Sequence, residues 1–280
     1  MPSAGLGLLR EVYDEWRKDN ALGLGAALAY YTIFSMAPLL VLVIAIAGLV
    51  FGRAAAQGEI VTQITSLVGP APAQLIQDML ARASGPKAGT LATLGSLAAM
   101  ALGASGVFGQ LQQAFNQIWE APPARGGFRG QIRRRAATFG MILGVGFLLL
   151  VSLVLSAALA AVHDPLARHL PLASRILPAL NFLLSFAVVT ALFAMIYKVL
   201  PDVDMSWRDV WLGASVTAFL FTIGKTLIAL YLGRAGVASV YGAAGSFVLV
   251  LLWIYYSAQI LFIGAEFTEV YSRRYGSRRP

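Results

Sequence analysis

An all-α, polytopic membrane protein with six transmembrane helices is the fold class the sequence predicts, and three observations predict it. Hydrophobic residues fill 58% of the 280 positions and charged residues only 12%. A soluble domain carries roughly 45–50% and about 25%, so this chain has too little polar surface to cover itself in water. Apolar runs long enough to cross a bilayer as helices recur at 26–51, 91–113, 137–162, 174–199, 209–232 and 243–267. Fourteen Lys and Arg residues fall on one side of these runs and six on the other. Basic residues accumulate on the cytoplasmic side, so both termini are expected in the cytoplasm, with odd-numbered spans running outward.

Each element has its own signal. In GLGLLREVYDEWRKD, Leu9, Val12, Tyr13 and Trp16 stand at helical spacing, which predicts a cytoplasmic interfacial helix within 1–20, with Trp16 at headgroup level. After the first span, residues 54–88 carry two amphipathic patterns, Ile60, Ile64, Leu67 and Val68, then Leu75, Ile76, Met79 and Leu80, with GPAP between them. Proline interrupts the first pattern, so an outer-face helical hairpin is expected, either a filler between span ends or a gating lid. Segments such as PDVDMSWRD and GRAGVASVYG connect the later spans with turn residues and charge. Residues 268–280 form a basic cytoplasmic tail. The whole chain, 1–280, reads as one integral membrane domain, and no internal repeat is evident.

The residue inventory excludes several chemistries. The chain has no cysteine, which removes disulfides, thiolate metal sites and cysteine nucleophiles. His163 and His169 are its two histidines, with Asp164 the one acid close in sequence, too few ligands for a metallo-hydrolase centre. Neither a P-loop nor a nucleophile elbow is present. The expectation is therefore no enzyme, no metal and no cofactor. The net charge of +8 resides mostly in arginines at the ends of apolar runs, a pattern that fits topology and anionic lipid contact better than nucleic-acid binding. Acidic residues within the first twenty and the length of the first apolar run also argue against a secretory signal.

Polar residues inside the spans are the candidates for function, because amides and charges facing lipid are unfavourable. Tyr31, Ser35 and Pro38 share one face of the first span. Pro38 leaves a backbone carbonyl without its helical partner and is expected to kink the helix. This face is expected to look into the bundle, with an interfacial aromatic belt and a packing kink as the plain alternative. Tyr255, Gln259, Phe262 and Glu266 form a stripe on the last span, and Gly106, Gln110, Gln113 and Gln117 another on the second. Lys225 is expected level with Asn181 and Ser185 in the outer half, snorkelling outward or meeting those groups. Glu266 is expected near the inner end, either beside the C-terminal arginines or in proton coupling. Gly103, Gly106, Gly109, Gly140 and Gly144 mark small-residue faces where helices can approach.

Three segments, AALAYYTIFSMAPLL, YKVLP and YGAAGSFVLVLLWIYYSAQILFIGAEF, together resemble the YihY/virulence factor BrkB family of bacterial inner-membrane proteins, from about residue 20 to 272. The resemblance implies an all-helical six-span protein of the cytoplasmic membrane. Members have carried labels as different as serum-resistance factor, tRNA-processing ribonuclease and envelope lipid transporter, and the residues disfavour the ribonuclease. Two readings remain. One is a transporter or flippase of an amphipathic, anionic lipid or envelope precursor. The other is a membrane scaffold or assembly partner. Membrane lipids are the expected partners and nucleic acid is not; homo-oligomerisation is left open.

Overall fold

A computed structural model describes residues 3–52, 54, 57, 58, 60–62, 65, 70–83, 106–122, 173–234 and 244–278. The candidate span at 137–162, most of that at 91–113, both histidines, and Gly103, Gly140 and Gly144 lie outside the described residues. Among the described residues the regular structure is helical: α1 Ser3–Lys18, α2 Ala21–Phe51, α3 Pro70–Ala83, α4 at 106–118, α5 Ala173–Val199, α6 Trp207–Arg234 and α7 Gly245–Arg274. Among the described residues three stretches are long and apolar enough to cross a membrane, Pro178–Val199, Trp207–Ile228 and Gly245–Arg274, and Ala21–Met36 is a shorter apolar stretch within α2.

Local chemistry sets the boundaries. Arg17 and Lys18 close α1, where cations complement the helix dipole. Asn20, at φ 53° and ψ 43°, turns the chain into α2 in a left-handed conformation that asparagine tolerates better than most residues. The helix α2 continues through Pro38 and stops at Gly52, whose φ of 81° suits a residue without Cβ. Pro70 opens α3, at the position where its missing N–H costs nothing. Ser206 Oγ accepts from the Asp209 N–H at 3.3 Å and caps the start of α6.

The helix α7 lies at the centre, packed against α6, α2, α1 and α3, while α5 packs on α6. The pairs Tyr197–Thr217 and Phe193–Phe221 set α5 antiparallel to α6. Gly213 against Thr268, Gly264 against Thr217 and Gly224 against Tyr256 set α6 antiparallel to α7. One apolar core, around Phe115, Trp119, Tyr197 and Phe262, lies at the end of the bundle that carries α1. A second joins Ile33 and Ile44 of α2, Ile76 and Leu80 of α3, and Val250 and Ile254 of α7. The second half of the expected hairpin is therefore a helix docked by its Ile76 and Leu80 face.

Two expectations need correction. The α1 stripe is split between two environments, because Val12 is buried and Trp16 packs against the core whereas Leu9 and Tyr13 are exposed. The α5–α6 register also places Lys225 level with Val189. Ser185 and Asn181 then lie one and two turns beyond it, about 6 and 12 Å along the axis. Sequence reasoning measured depth from assumed span ends, and the short Leu200–Ser206 turn shifts the pairing.

Candidate functional site

The polar face of α7 is the most enclosed of the expected stripes. Gln259 Nε2 donates to Ala21 O of α2 at 3.3 Å, and its side chain occupies the space where a Cβ on Gly25 would stand. Its Oε1 is buried and has no hydrogen-bond partner among the described residues. Seven residues on, and so on the same face, Glu266 is 1% exposed, with Oε1 likewise buried and unpartnered among the described residues. Charged groups near Glu266 include Asp19, Glu269, Glu15 and Lys18. Tyr255 is half-buried and packs against the second core.

The stripe on α4 runs beside α2 in the opposite direction. A Cβ on Gly106 would meet Tyr31 at 3.3 Å and Ser35 Oγ at 3.9 Å. Further along α4, Gln117 Nε2 donates to Asp19 O at 2.7 Å. Ser35 is buried, but Tyr31 is 42% exposed, Gln110 half-buried and Gln113 exposed. The face thus turns inward at Ser35 and opens outward towards Gln113. Pro38 lies within α2, and its side chain lies outside the described residues. Asn181, Ser185 and Lys225 are all exposed on the α5–α6 surface, where Phe182, Leu183, Ile223 and Leu227 are exposed too.

A polar clasp fastens α1 to this assembly. Arg273 donates to Glu11 at 2.7 Å and to Glu15 at 3.1 Å and lies 3.7 Å from Glu269; Arg274 also pairs with Glu11. Lys18 bridges Glu15 at 2.8 Å and Glu120 at 3.3 Å. The hydrogen bond from Lys18 is the main reason the Glu15 carboxyl is held below its ordinary range, and that same bond raises Lys18. Burial pushes Asp19 the other way, above the usual carboxylate range. Asn116 and Asp202 exchange two hydrogen bonds, at 2.9 and 2.8 Å. Asp209 accepts from Ser277 N and Oγ at 2.8 and 2.7 Å. The start of α2, the ends of α4, α5 and α7, and the start of α6 therefore meet at one end of the bundle.

Sequence reasoning missed the pivotal contact of that bundle. Tyr197 Oη lies 2.7 Å from Leu261 O and 2.9 Å from Thr217 Oγ1, and Thr217 Oγ1 lies 2.8 Å from Gly213 O. Two hydroxyl protons thus serve three short contacts. The available signal was the pattern Gly-Ala-x-x-Thr, which occurs in GASVT on α6 and again in GAEFT on α7. Among the described residues no group of three or more His, Asp or Glu could hold a metal ion.

Several long apolar helices packed side by side, with an amide and a carboxylate sequestered between them, define a polytopic α-helical membrane protein. The family model for Virulence factor BrkB matches residues 12–280, and the chain belongs to that family. Among its relatives is a UPF0761 membrane protein of Verminephrobacter eiseniae, 30% identical over 265 residues that cover 91% of this chain and 60% of the relative. Another, PA0951 of Pseudomonas aeruginosa, is 28% identical over 264 residues, covering 93% and 62%. MS0032 of Mannheimia succiniciproducens is 26% identical over 263 residues, covering 92% and 87%. The chain spans about 60% of the length of the first curated relatives it matches. No solved structure matches it.

Proposed function

We propose that the chain is a six-span transporter or flippase of the bacterial inner membrane, with both termini cytoplasmic, and that it moves an amphipathic, anionic lipid or envelope precursor without catalysing a reaction on it. The observation that carries this reading is the pair of buried acceptors on one face of α7, Gln259 Oε1 and Glu266 Oε1, unpartnered among the described residues. Unmet acceptors inside a membrane bundle are unfavourable and serve no packing purpose, whereas a pathway for polar groups needs them. Lys225 supports the anionic substrate, since an exposed ammonium amid apolar neighbours is suited to a passing headgroup. The cytoplasmic assignment of the α1 end rests on Lys198, Arg208 and the arginines of both termini, which gather there. The test is cysteine accessibility in this cysteine-free chain: Ser35→Cys and Gln259→Cys are expected to react with a small water-soluble thiol reagent while Ile223→Cys on the apolar surface does not. Protection at both interior positions would overturn the pathway.

A non-transporting scaffold is the second reading, and the interlocked glycines favour it. Gly213, Gly224 and Gly264 each leave room for side chains of the helices packed against them, which suits a rigid assembly platform. Reconstituted vesicles separate the two: a transporter accelerates the transbilayer movement of labelled phosphatidylglycerol, and a scaffold leaves it at the rate of protein-free vesicles.

A further inference from the structure

Among the described residues, the outward face of α1 belongs neither to the pathway nor to the core. Leu6, Leu9 and Tyr13 stand at i, i+3 and i+7, a single stripe of the helix. They are 69%, 62% and 55% exposed. Arg10 and Arg17 flank the same stripe and are exposed, with the Arg17 guanidinium 6.0 Å from the centre of the Tyr13 ring. Neither arginine belongs to the clasp, where Arg273 and Arg274 take Glu11 and Glu15. The two sides of α1 therefore carry separate instructions. Glu11 and Glu15 on one side are taken by α7, and the apolar and basic side, bordered by the exposed Asp14, faces away from the protein.

The surroundings identify what covers that side. Trp207 and Trp211 at the start of α6 and Tyr275 after α7 are exposed at the same end of the bundle, where Asp209 holds Ser277. Exposed Trp and Tyr at the ends of apolar helices collect at the level of lipid headgroups. The clasp fixes α1 to the last turn of α7, so its stripe is held at that level. Apolar residues flanked by arginines match a headgroup layer that is apolar beneath and negative above.

We infer that α1 docks through Leu6, Leu9 and Tyr13 onto the headgroup layer of an anionic bilayer, with Arg10 and Arg17 contacting lipid phosphates. Docking of this kind goes beyond the transport reading and stands or falls separately from it. It would make α1 a fixed keel, setting the depth of α7, and of Glu266 on it, relative to the membrane surface.

The experiment uses the full chain in nanodiscs of phosphatidylcholine, alone or mixed in equal parts with phosphatidylglycerol. A fluorophore is attached at Leu9→Cys, and at Asp14→Cys on the far flank as a control. The Leu9 label is expected to be quenched by a nitroxide carried near the lipid headgroup and shielded from iodide, and the Asp14 label to behave in the opposite way. Shielding should strengthen with phosphatidylglycerol and weaken in high salt. Replacing Arg10 and Arg17 with Gln should weaken docking by about fivefold for each arginine. Both arginines lie outside the clasp, so the variants are expected to fold. Free access of iodide to Leu9 in both discs would overturn docking and leave the stripe to a protein partner. Shielding that ignores phosphatidylglycerol, salt and both arginines would overturn the anionic headgroup as the occupant.

Discussion

Thr268 of α7 packs into the space that Gly213 leaves on α6, and one turn away on each helix Thr217 of α6 packs into the space left by Gly264 of α7. Each threonine hydroxyl also donates to the carbonyl of the glycine in its own helix, Thr217 to Gly213 O at 2.8 Å and Thr268 to Gly264 O at 2.6 Å. Two Gly-Ala-x-x-Thr segments thus meet antiparallel, related by a local two-fold axis. The back-bonded hydroxyls need no partner across the interface, so the helices can approach closely without stranding a polar group in lipid.

The first prediction follows from that geometry. Any Cβ at Gly213 would collide with three side-chain atoms of Thr268, so Gly213→Ala is expected to cost about 1–3 kcal/mol, as overpacked interiors do. Gly264→Ala, facing Thr217 and Tyr197, should behave alike. Thr268→Ala is expected to recover part of the loss in Gly213→Ala and little of that in Gly264→Ala, because only the first pair shares the clash. Thermal unfolding of the purified protein in detergent measures all of these. Unchanged melting of both glycine variants would mean that the helices do not sit this close.

Tyr197 separates ring from hydroxyl. Its ring is fully buried and touches Phe115 and Trp119, with centroids 5.6 Å away in each case, while its hydroxyl ties α5 to α6 and α7. Hydrogen bonds between membrane helices contribute about 0.6 kcal/mol on average and about 1.7 at most. Tyr197→Phe should therefore lower stability by that small amount, and Tyr197→Ala, which opens a cavity at the centre of the core, by several times more. Equal losses in the two variants would show that the hydroxyl, and not the ring, holds the junction.

Much of this arrangement was legible in the sequence and some was not, for physical reasons that particular residues show. Apolar length is a strong signal, and the candidate spans at 174–199, 209–232 and 243–267 coincide with apolar helices. Face periodicity located Gln259 and Glu266 on one side of the last span. It could not tell which stripe is enclosed, because enclosure depends on the neighbouring helix: Ser35 is buried and Tyr31, one turn before it, is exposed. The Lys225 level failed through register, which a one-turn error in a loop shifts by a whole turn. The clasp went unseen because Glu11 and Arg273 are 262 residues apart, beyond any local pattern.

The clasp gives the stability a predictable pH dependence. Glu15 is held below its ordinary range by Lys18 and, after a smaller burial effect that opposes it, by Arg273. Its contribution is therefore present above the unfolded value, about 4.3 for glutamate, and is lost as pH falls through the lower folded value. Asp19, raised by burial, has the opposite sign: its contribution is present below its unfolded value and is lost as pH rises through the higher folded one. Glu15→Gln should accordingly melt earlier than the parent at neutral pH, with the difference closing on acidification. Asp19→Asn should melt no earlier than the parent at neutral pH. High salt is expected to shrink the Glu15 effect, since Lys18 is well exposed. A Glu15→Gln curve parallel to the parent at every pH would show that the clasp makes no contribution.

Lys225 and Asn181 supply the last prediction, and the register decides its form. Two turns of helix separate their levels, about 12 Å, and both are exposed on the α5–α6 surface. Direct contact would require the lysine to span that height, so the two are expected to act independently. In transbilayer movement of labelled lipid, Lys225→Gln should reduce the preference for phosphatidylglycerol over phosphatidylcholine, because it removes the charge that meets the headgroup. Asn181→Ala should affect both lipids equally. The double variant should show the product of the two effects, as separate sites do. A double variant no worse than Lys225→Gln alone would mean that the two groups form one site after all, with α5 and α6 shifted by two turns in the membrane. A Lys225→Gln variant that keeps the full parental preference would remove the ammonium from substrate recognition and leave it as a snorkelling residue.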